Sequence, residues 1–197
     1  RQLAAAQLHA LQMQLEPHFL FNTLNAITTL VDLRRCDEAS QMLAHLNVIL
    51  KTTLADTAPQ KVVLSRELEI VDNYLAIEQV RFADRLRVDM KIDQGALSGL
   101  VPSFLLQPII ENAIRHGISQ CEEKGIIETS IRREGATLRM RVSDSGGSPR
   151  ASTSGTGIGL RNTRERLAHF YNDRFEMKAL PMEGGGFEVA IAIPFEQ

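Results

Sequence analysis

"QPIIENAIRHG", residues 107–117, reads as an apolar helix broken by polar groups at regular intervals. Ile109, Ile110, Ala113 and Ile114 suit a core, whereas Glu111, Asn112, Arg115 and His116 interrupt the apolar run. On an α-helix Asn112 and His116 stand four apart and Arg115 three from Asn112, so these groups share one face. An amide oxygen suits magnesium, which keeps most of its waters, and arginine or histidine can meet phosphate charge. The same stretch also fits a partly exposed helix with a solvated stripe, so its meaning depends on its neighbours.

Two neighbours point the same way. "VSDSGG", residues 142–147, ends a strand on Asp144, whose carboxylate can accept a hydrogen bond from an exocyclic amine while Gly146 and Gly147 turn the chain beside a ligand. Alone, Asp144 reads more readily as a turn residue. "GTGIGLRNTRERL", residues 155–167, places Gly155, Gly157 and Gly159 before a helix whose N-terminus favours anions, so backbone amides can approach a polyphosphate. The dinucleotide fingerprint is excluded because no βαβ unit with an acidic ribose contact follows, and a P-loop is excluded because no Lys-Ser/Thr pair closes the glycines.

Around these stretches the chain alternates. The spacing predicts a short apolar segment "KVVL" (61–64), a helix from Ser65 as N-cap to about Phe82, and a period-two strand "LRVDMKI" (86–92). Pro102 is predicted to open an apolar helix running through His116, with strands near 125–133 and 136–143. A helix over about 157–171 and two strands, "FEMKAL" (175–180) and "GFEVAIAIPF" (186–195), complete the pattern. Helices mixed with mainly antiparallel strands imply a two-layer α/β sandwich over residues 60–197.

The first 58 residues differ in character. Residues 1 to about 34 and about 38 to 57 read as two helices joined by "RRCDEAS". Leu11, Leu15, Phe19, Asn22, Ala26, Leu30 and Leu33 follow helical spacing, as do Met42, Leu43, Leu46, Ile49, Leu50 and Leu54. Two helices cannot bury such stripes alone, so a second copy is expected to complete a four-helix bundle. The predicted fold class is therefore α+β, a helical hairpin (1–58) ahead of the sandwich. Pro17 interrupts the first stripe at "LEPHFLFNTLNAI", where it deletes a backbone donor directly before His18.

Composition narrows the partners. With 197 residues and 44% hydrophobic content the chain can bury a core, and a net charge of −2 without a basic block argues against nucleic acid or an anionic membrane surface. Cys36 and Cys121 form no metal or disulfide pattern, which fits a reducing cytosol. No apolar run reaches membrane-spanning length, and "RQLAAAQLHALQMQL" starts within a helical repeat, as expected of a piece of a longer protein.

In order and spacing the three stretches resemble the N, G1 and G2 boxes of the ATP-binding fold shared by sensor histidine kinases, type II topoisomerases, Hsp90-type chaperones and MutL. The resemblance implies ATP and Mg2+ as cofactors, with Asn112 on the metal, Asp144 reading the adenine amino group, and Gly155, Gly157 and Gly159 on the phosphate side of a lid. Arg115, His116, Gly146 and Leu160 join the expected nucleotide site. One departure is Ser148, where the G1 pattern usually carries a further glycine. "PHFLFN" and "YLAIEQVRF" (74–82) are similar to the LytS-like sensor histidine kinases, which implies that His18 is the phosphoacceptor.

Asn22 and Glu111 are the other catalytic candidates. Phe19 holds the position where many histidine kinases carry an acidic residue, so the group orienting His18 must lie elsewhere. Gln14 and Asn22 share the His18 face of an ideal helix, and Glu16 does not unless Pro17 kinks it. His9, His45 and His169 have no comparable context, and the Tyr74 to Phe82 helix is expected to provide packing plus a solvated face. The resemblance further implies a homodimer, transfer to a response-regulator receiver domain, and a cytoplasmic portion of a membrane-bound bacterial sensor. Two competing readings are a hydrolytic ATPase of the same fold and an inactive nucleotide-binding module. Against the first, Pro108 stands four positions before Asn112, where hydrolytic relatives carry a glutamate base.

Overall fold

The computed structural model describes residues 17–55, 60–119, 124–146 and 157–197. The chain divides into two compact units. One gathers the N-terminal helices with Asp72–Arg81, and the other combines Gln60–Val71 with Phe82–Gln197.

In the first unit, helices α1 (Pro17–Asp32) and α2 (Cys36–Ala55) form a hairpin. Arg34 takes a left-handed conformation (φ 59°), and the Arg35 N–H reaches the Leu30 carbonyl at 2.8 Å, closing α1. The buried stripe of α1 is Phe19, Thr23, Ile27 and Leu30, with Thr23 satisfied by its own helix through the Phe19 carbonyl at 2.8 Å. Leu33, expected in that stripe, is exposed beyond the end of α1. Along α2 the stripe also splits: Met42, Leu46 and Ile49 are buried, whereas Leu43 and Leu54 face outward. Each helix thus has an inner apolar face and a second, exposed one.

The second unit is a two-layer α/β sandwich. Its sheet has the order β2-β4-β5-β7-β6, built from β2 (Leu86–Ile92), β4 (Gly125–Glu134), β5 (Thr137–Asp144), β6 (Glu176–Pro181) and β7 (Phe187–Pro194). β2 and β4 are parallel and the other neighbours antiparallel. A separate two-stranded pair joins β1 (Lys61–Val63) to β3 (Leu100–Pro102). Period two puts Ile127, Thr129 and Ile131 of β4 level with Val142 and Met140 of β5 and with Val189 and Ile191 of β7, all on the buried face. The helix layer supplies Leu64, Leu68 and Val71 from α3 (Leu64–Phe82), Ile109 and Ile110 from α4 (Gln107–Ala113), and Leu167 and Tyr171 from α5 (Gly157–Tyr171). The opposite face is polar and laced with ion pairs such as Arg141 to Glu188 at 2.7 Å.

Two sequence expectations fail locally. Ser65 is no N-cap: α3 begins at Leu64 after Val63, and its first N–H groups reach the Gly99 and Leu97 carbonyls at 2.8 and 3.2 Å. Pro102 opens no helix. It closes β3, and α4 starts at Gln107 with Pro108 in its first turn. Between them Phe104 adopts φ 56°, and the buried Glu67 carboxylate accepts the N–H groups of Phe104, Leu105 and Leu106 at 2.5, 2.9 and 3.2 Å.

Candidate functional site

The period of β5 builds the centre of the site. Leu138, Met140 and Val142 point inward, so the next inward position is Asp144, which pairs in register with Ile127 and Phe187. A carboxylate thus stands at the end of the buried face, only 2% exposed. The Gly146 N–H donates to its Oδ1 at 3.1 Å, making the turn the sequence predicted after the strand.

Three glycines crowd Asp144, two at its carboxylate and one at its main chain. A Cβ at Gly117 would lie 2.3 Å from Asp144 Oδ1, one at Gly146 would lie 2.9 Å from the same atom, and one at Gly186 (φ 88°) would lie 2.0 Å from the Asp144 carbonyl oxygen. Gly146 was legible in sequence. Gly117 and Gly186 were not, although Gly117 ends the stretch that decides the fold and Gly186 closes a glycine run before β7.

Asn112 lies on α4, 8% exposed. The expectation that Asn112, Arg115 and His116 share one α-helical face needs correction, because the helix widens into a π turn over Ile114–Ile118. Its signature bond runs from the Ser119 N–H to the Ile114 carbonyl at 2.9 Å. Arg115 is exposed and donates through Nε to His116 Nε2 at 3.1 Å, while His116 is half-buried. Glu111, half-buried, receives the Gln107 side-chain amide at 2.7 Å. Gly157, Gly159 and Leu160 form the start of α5, where the Thr163 hydroxyl donates to the Gly159 carbonyl at 3.0 Å and a Cβ at Gly159 would meet nothing within 4 Å. Gly155 and Ser148 lie outside the described residues.

Sequence reasoning also missed Glu67 and Arg166, which hold the segment leading into α4. Arg166 donates to the Ser103 and Phe104 carbonyls at 2.5 and 2.7 Å while Glu67 takes three N–H groups of the same segment. Burial pushes the Glu67 carboxyl above its ordinary range, against the pull of those N–H donors and of Arg166. Burial likewise lowers the Arg166 guanidinium, with Glu67 opposing.

In the hairpin unit His18 is exposed, and the Asn22 amide nitrogen lies 3.0 Å from its Nδ1 and 3.2 Å from its Nε2. Phe19 turns inward, 3% exposed, and stacks on Tyr74 with ring centroids 4.8 Å apart. Gln14, Glu16 and His9 lie outside the described residues. His45 pairs through Nδ1 with Asn73 Oδ1 at 2.8 Å, and the His169 ring packs edge-on against Phe170. On the Tyr74 to Phe82 segment Glu78 is buried and bridges to Arg81, so only part of that helix has the solvated character expected.

Asn112 supplies an amide oxygen, a hard donor of the kind magnesium accepts. Among the described residues no group of three His, Cys, Asp or Glu side chains could form an all-protein cage. Mg2+ keeps several waters and takes few protein oxygens beside substrate phosphates, so no such cage is required. No described helix is long and apolar enough to cross a membrane.

Residues 6–86 match the family model described as histidine kinase. The sensor histidine kinase BtsS of Escherichia coli strain K12 is 36% identical over 173 residues, covering 88% of this chain and 30% of that protein. The sensor protein LytS of Enterococcus faecalis is 30% identical over 207 residues, covering 99% of this chain and 35% of that protein. The chain therefore spans about a third of the length of these relatives. Among solved structures, the histidine kinase domain of a blue-light activated histidine kinase from Erythrobacter litoralis has the same fold, with a TM-score of 0.53 at 19% identity, covering 99% of this chain and 96% of that one. The catalytic domain of histidine kinase ThkA gives 0.51 at 17%, covering 71% of this chain and 98% of its own.

Proposed function

The chain belongs to the sensor histidine kinases, and from this we propose that residues 60–197 bind ATP with magnesium and residues 1–58 present His18 as phosphoacceptor. The observation that carries the reading is the buried carboxylate of Asp144 at an inward strand position, at the end of the core face and closely approached by Gly117 and Gly146. There it accepts a hydrogen bond from the adenine amino group. Asn112 offers its amide oxygen to magnesium, Arg115 and His116 meet phosphate charge, Glu111 completes the polar end of α4, and the glycines from Gly155 to Gly159 with Leu160 border the phosphates. Magnesium, when bound, neutralises and orients the phosphate oxygens.

The ring nitrogen of His18 that bears no proton attacks the γ-phosphorus. The bond from that phosphorus to the β-γ bridging oxygen breaks, and ADP leaves with the electron pair. Asn22 positions the imidazole ring, the task an acidic residue at position 19 cannot perform here because Phe19 is packed inward. The phosphoryl group then passes to an aspartate of a response-regulator receiver domain, and the chain acts as a homodimer. It is read as the cytoplasmic portion of a membrane-bound bacterial sensor. The hydrolytic reading is not favoured, since Pro108 supplies no base for water.

Incubation with γ-labelled ATP and Mg2+ tests this. Acid-labile, base-stable label is expected on the parent chain and on none of the His18→Gln protein, which should still bind ATP. Asn112→Ala should lose magnesium-dependent binding or transfer with His18 intact. Stable labelling of His18→Gln would place the acceptor elsewhere and overturn the assignment.

A further inference from the structure

The π turn has a specific result: it brings the backbone of Gly117 against the side chain of Asp144. A β-carbon there would lie 2.3 Å from Oδ1 and 2.6 Å from Cγ of Asp144, distances no contact tolerates. The three crowding glycines differ in what a side chain would strike. At Gly186 the nearest atom is the Asp144 carbonyl oxygen, and at Gly146 it is the Gly117 Cα at 2.5 Å, so both would push on backbone. At Gly117 all three nearest atoms belong to the Asp144 side chain, the carboxylate closest and the Cβ at 2.9 Å, so the side chain must turn away.

We propose that Gly117 is a positioning residue for base recognition: its bare Cα fixes the direction of the Asp144 carboxylate and thereby the preference for a purine carrying a 6-amino group. The inference rests on Asp144 meeting adenine, as proposed above. A carboxylate accepts from the adenine amine and repels the 6-oxo group of guanine, so discrimination depends on where its oxygens point. Gly146 holds Oδ1 from one side through its N–H, and Gly117 bounds the same oxygen from another. A methyl group at 117 forces the carboxylate off this line, since its three nearest contacts are all side-chain atoms of Asp144.

The test is calorimetric titration of the whole 197-residue chain with ADP, GDP and inorganic tripolyphosphate in Mg2+. Gly117→Ala is expected to bind ADP about ten- to a hundredfold more weakly, to discriminate less between ADP and GDP, and to bind tripolyphosphate as the parent does. Loss of all three ligands in proportion, or unchanged ADP affinity, would overturn the proposal. Asp144→Gly removes all three contact atoms, the β-carbon at 2.9 Å included. In that background, adding Gly117→Ala should cost no further ADP affinity, and a further loss would count against the proposal even if the single variant fails to fold. If Asp144→Gly alone leaves ADP binding unchanged, the adenine reading itself fails, which is distinguishable from failure of Gly117 alone.

Discussion

His18 and Phe19 show how adjacent residues divide labour on one helix. Their side chains point about 100° apart, so one faces solvent while the other enters the core of the hairpin unit. Position 19 is therefore closed to a charged group. Phe19→Glu would bury a carboxylate against Tyr74 and is expected to destabilise the hairpin unit by several kcal/mol, whereas Phe19→Leu should cost only about 1 to 2. Urea unfolding of the two variants checks this, and equal midpoints would contradict the packing role. Asp144 was legible because the sequence places a carboxylate at a strand end just before glycines. The role of Gly117 was not legible, since its contact crosses from a helix to a strand and depends on a widened turn that no residue pattern announces.

At the level of elements, the errors fall where a chain end is held by groups distant in sequence. Proline suits both a strand end and a helix start, so Pro102 was ambiguous, and only the pairing of β1 with β3 decides it. The α4 entry is held by Glu67, some 37 residues earlier in the chain, which replaces the local cap that sequence reasoning looks for. This arrangement carries a pH dependence. The folded carboxyl of Glu67 is raised above its unfolded value, so its protonated form is favoured on folding. The associated stability is fully present below the ordinary glutamate range, about pH 4.3, and is lost as pH rises through the raised value. Chemical unfolding from pH 4 upward should show the parent losing stability relative to Glu67→Gln. Parallel pH profiles would remove Glu67 as the source.

For the whole molecule, the outward apolar faces of the hairpin remain to be covered. Phe21 is 68% exposed, and Leu24 and Val31 follow it on α1 while Leu43 and Leu54 stand out on α2. Leu24→Glu with Leu43→Glu alters only exposed positions, so the chain should keep its helical content yet sediment as a monomer at micromolar concentration, where the parent is expected to sediment as the proposed dimer. A monomeric parent would show that these faces serve another partner. The sandwich was legible from its alternation, and so was the hairpin. What the sequence did not show is that Leu64–Phe82, a single helix of 19 residues, contributes Leu64–Val71 to one unit and Asp72–Arg81 to the other. That has a practical consequence for dissecting the protein. A cut at residues 58–60, the natural choice from composition, would strip Tyr74 from Phe19. A cut after Phe82 would instead take Glu67 away from the segment it holds. No single scission point yields two intact pieces, and fragments meant to fold separately must overlap, each carrying its own copy of this helix.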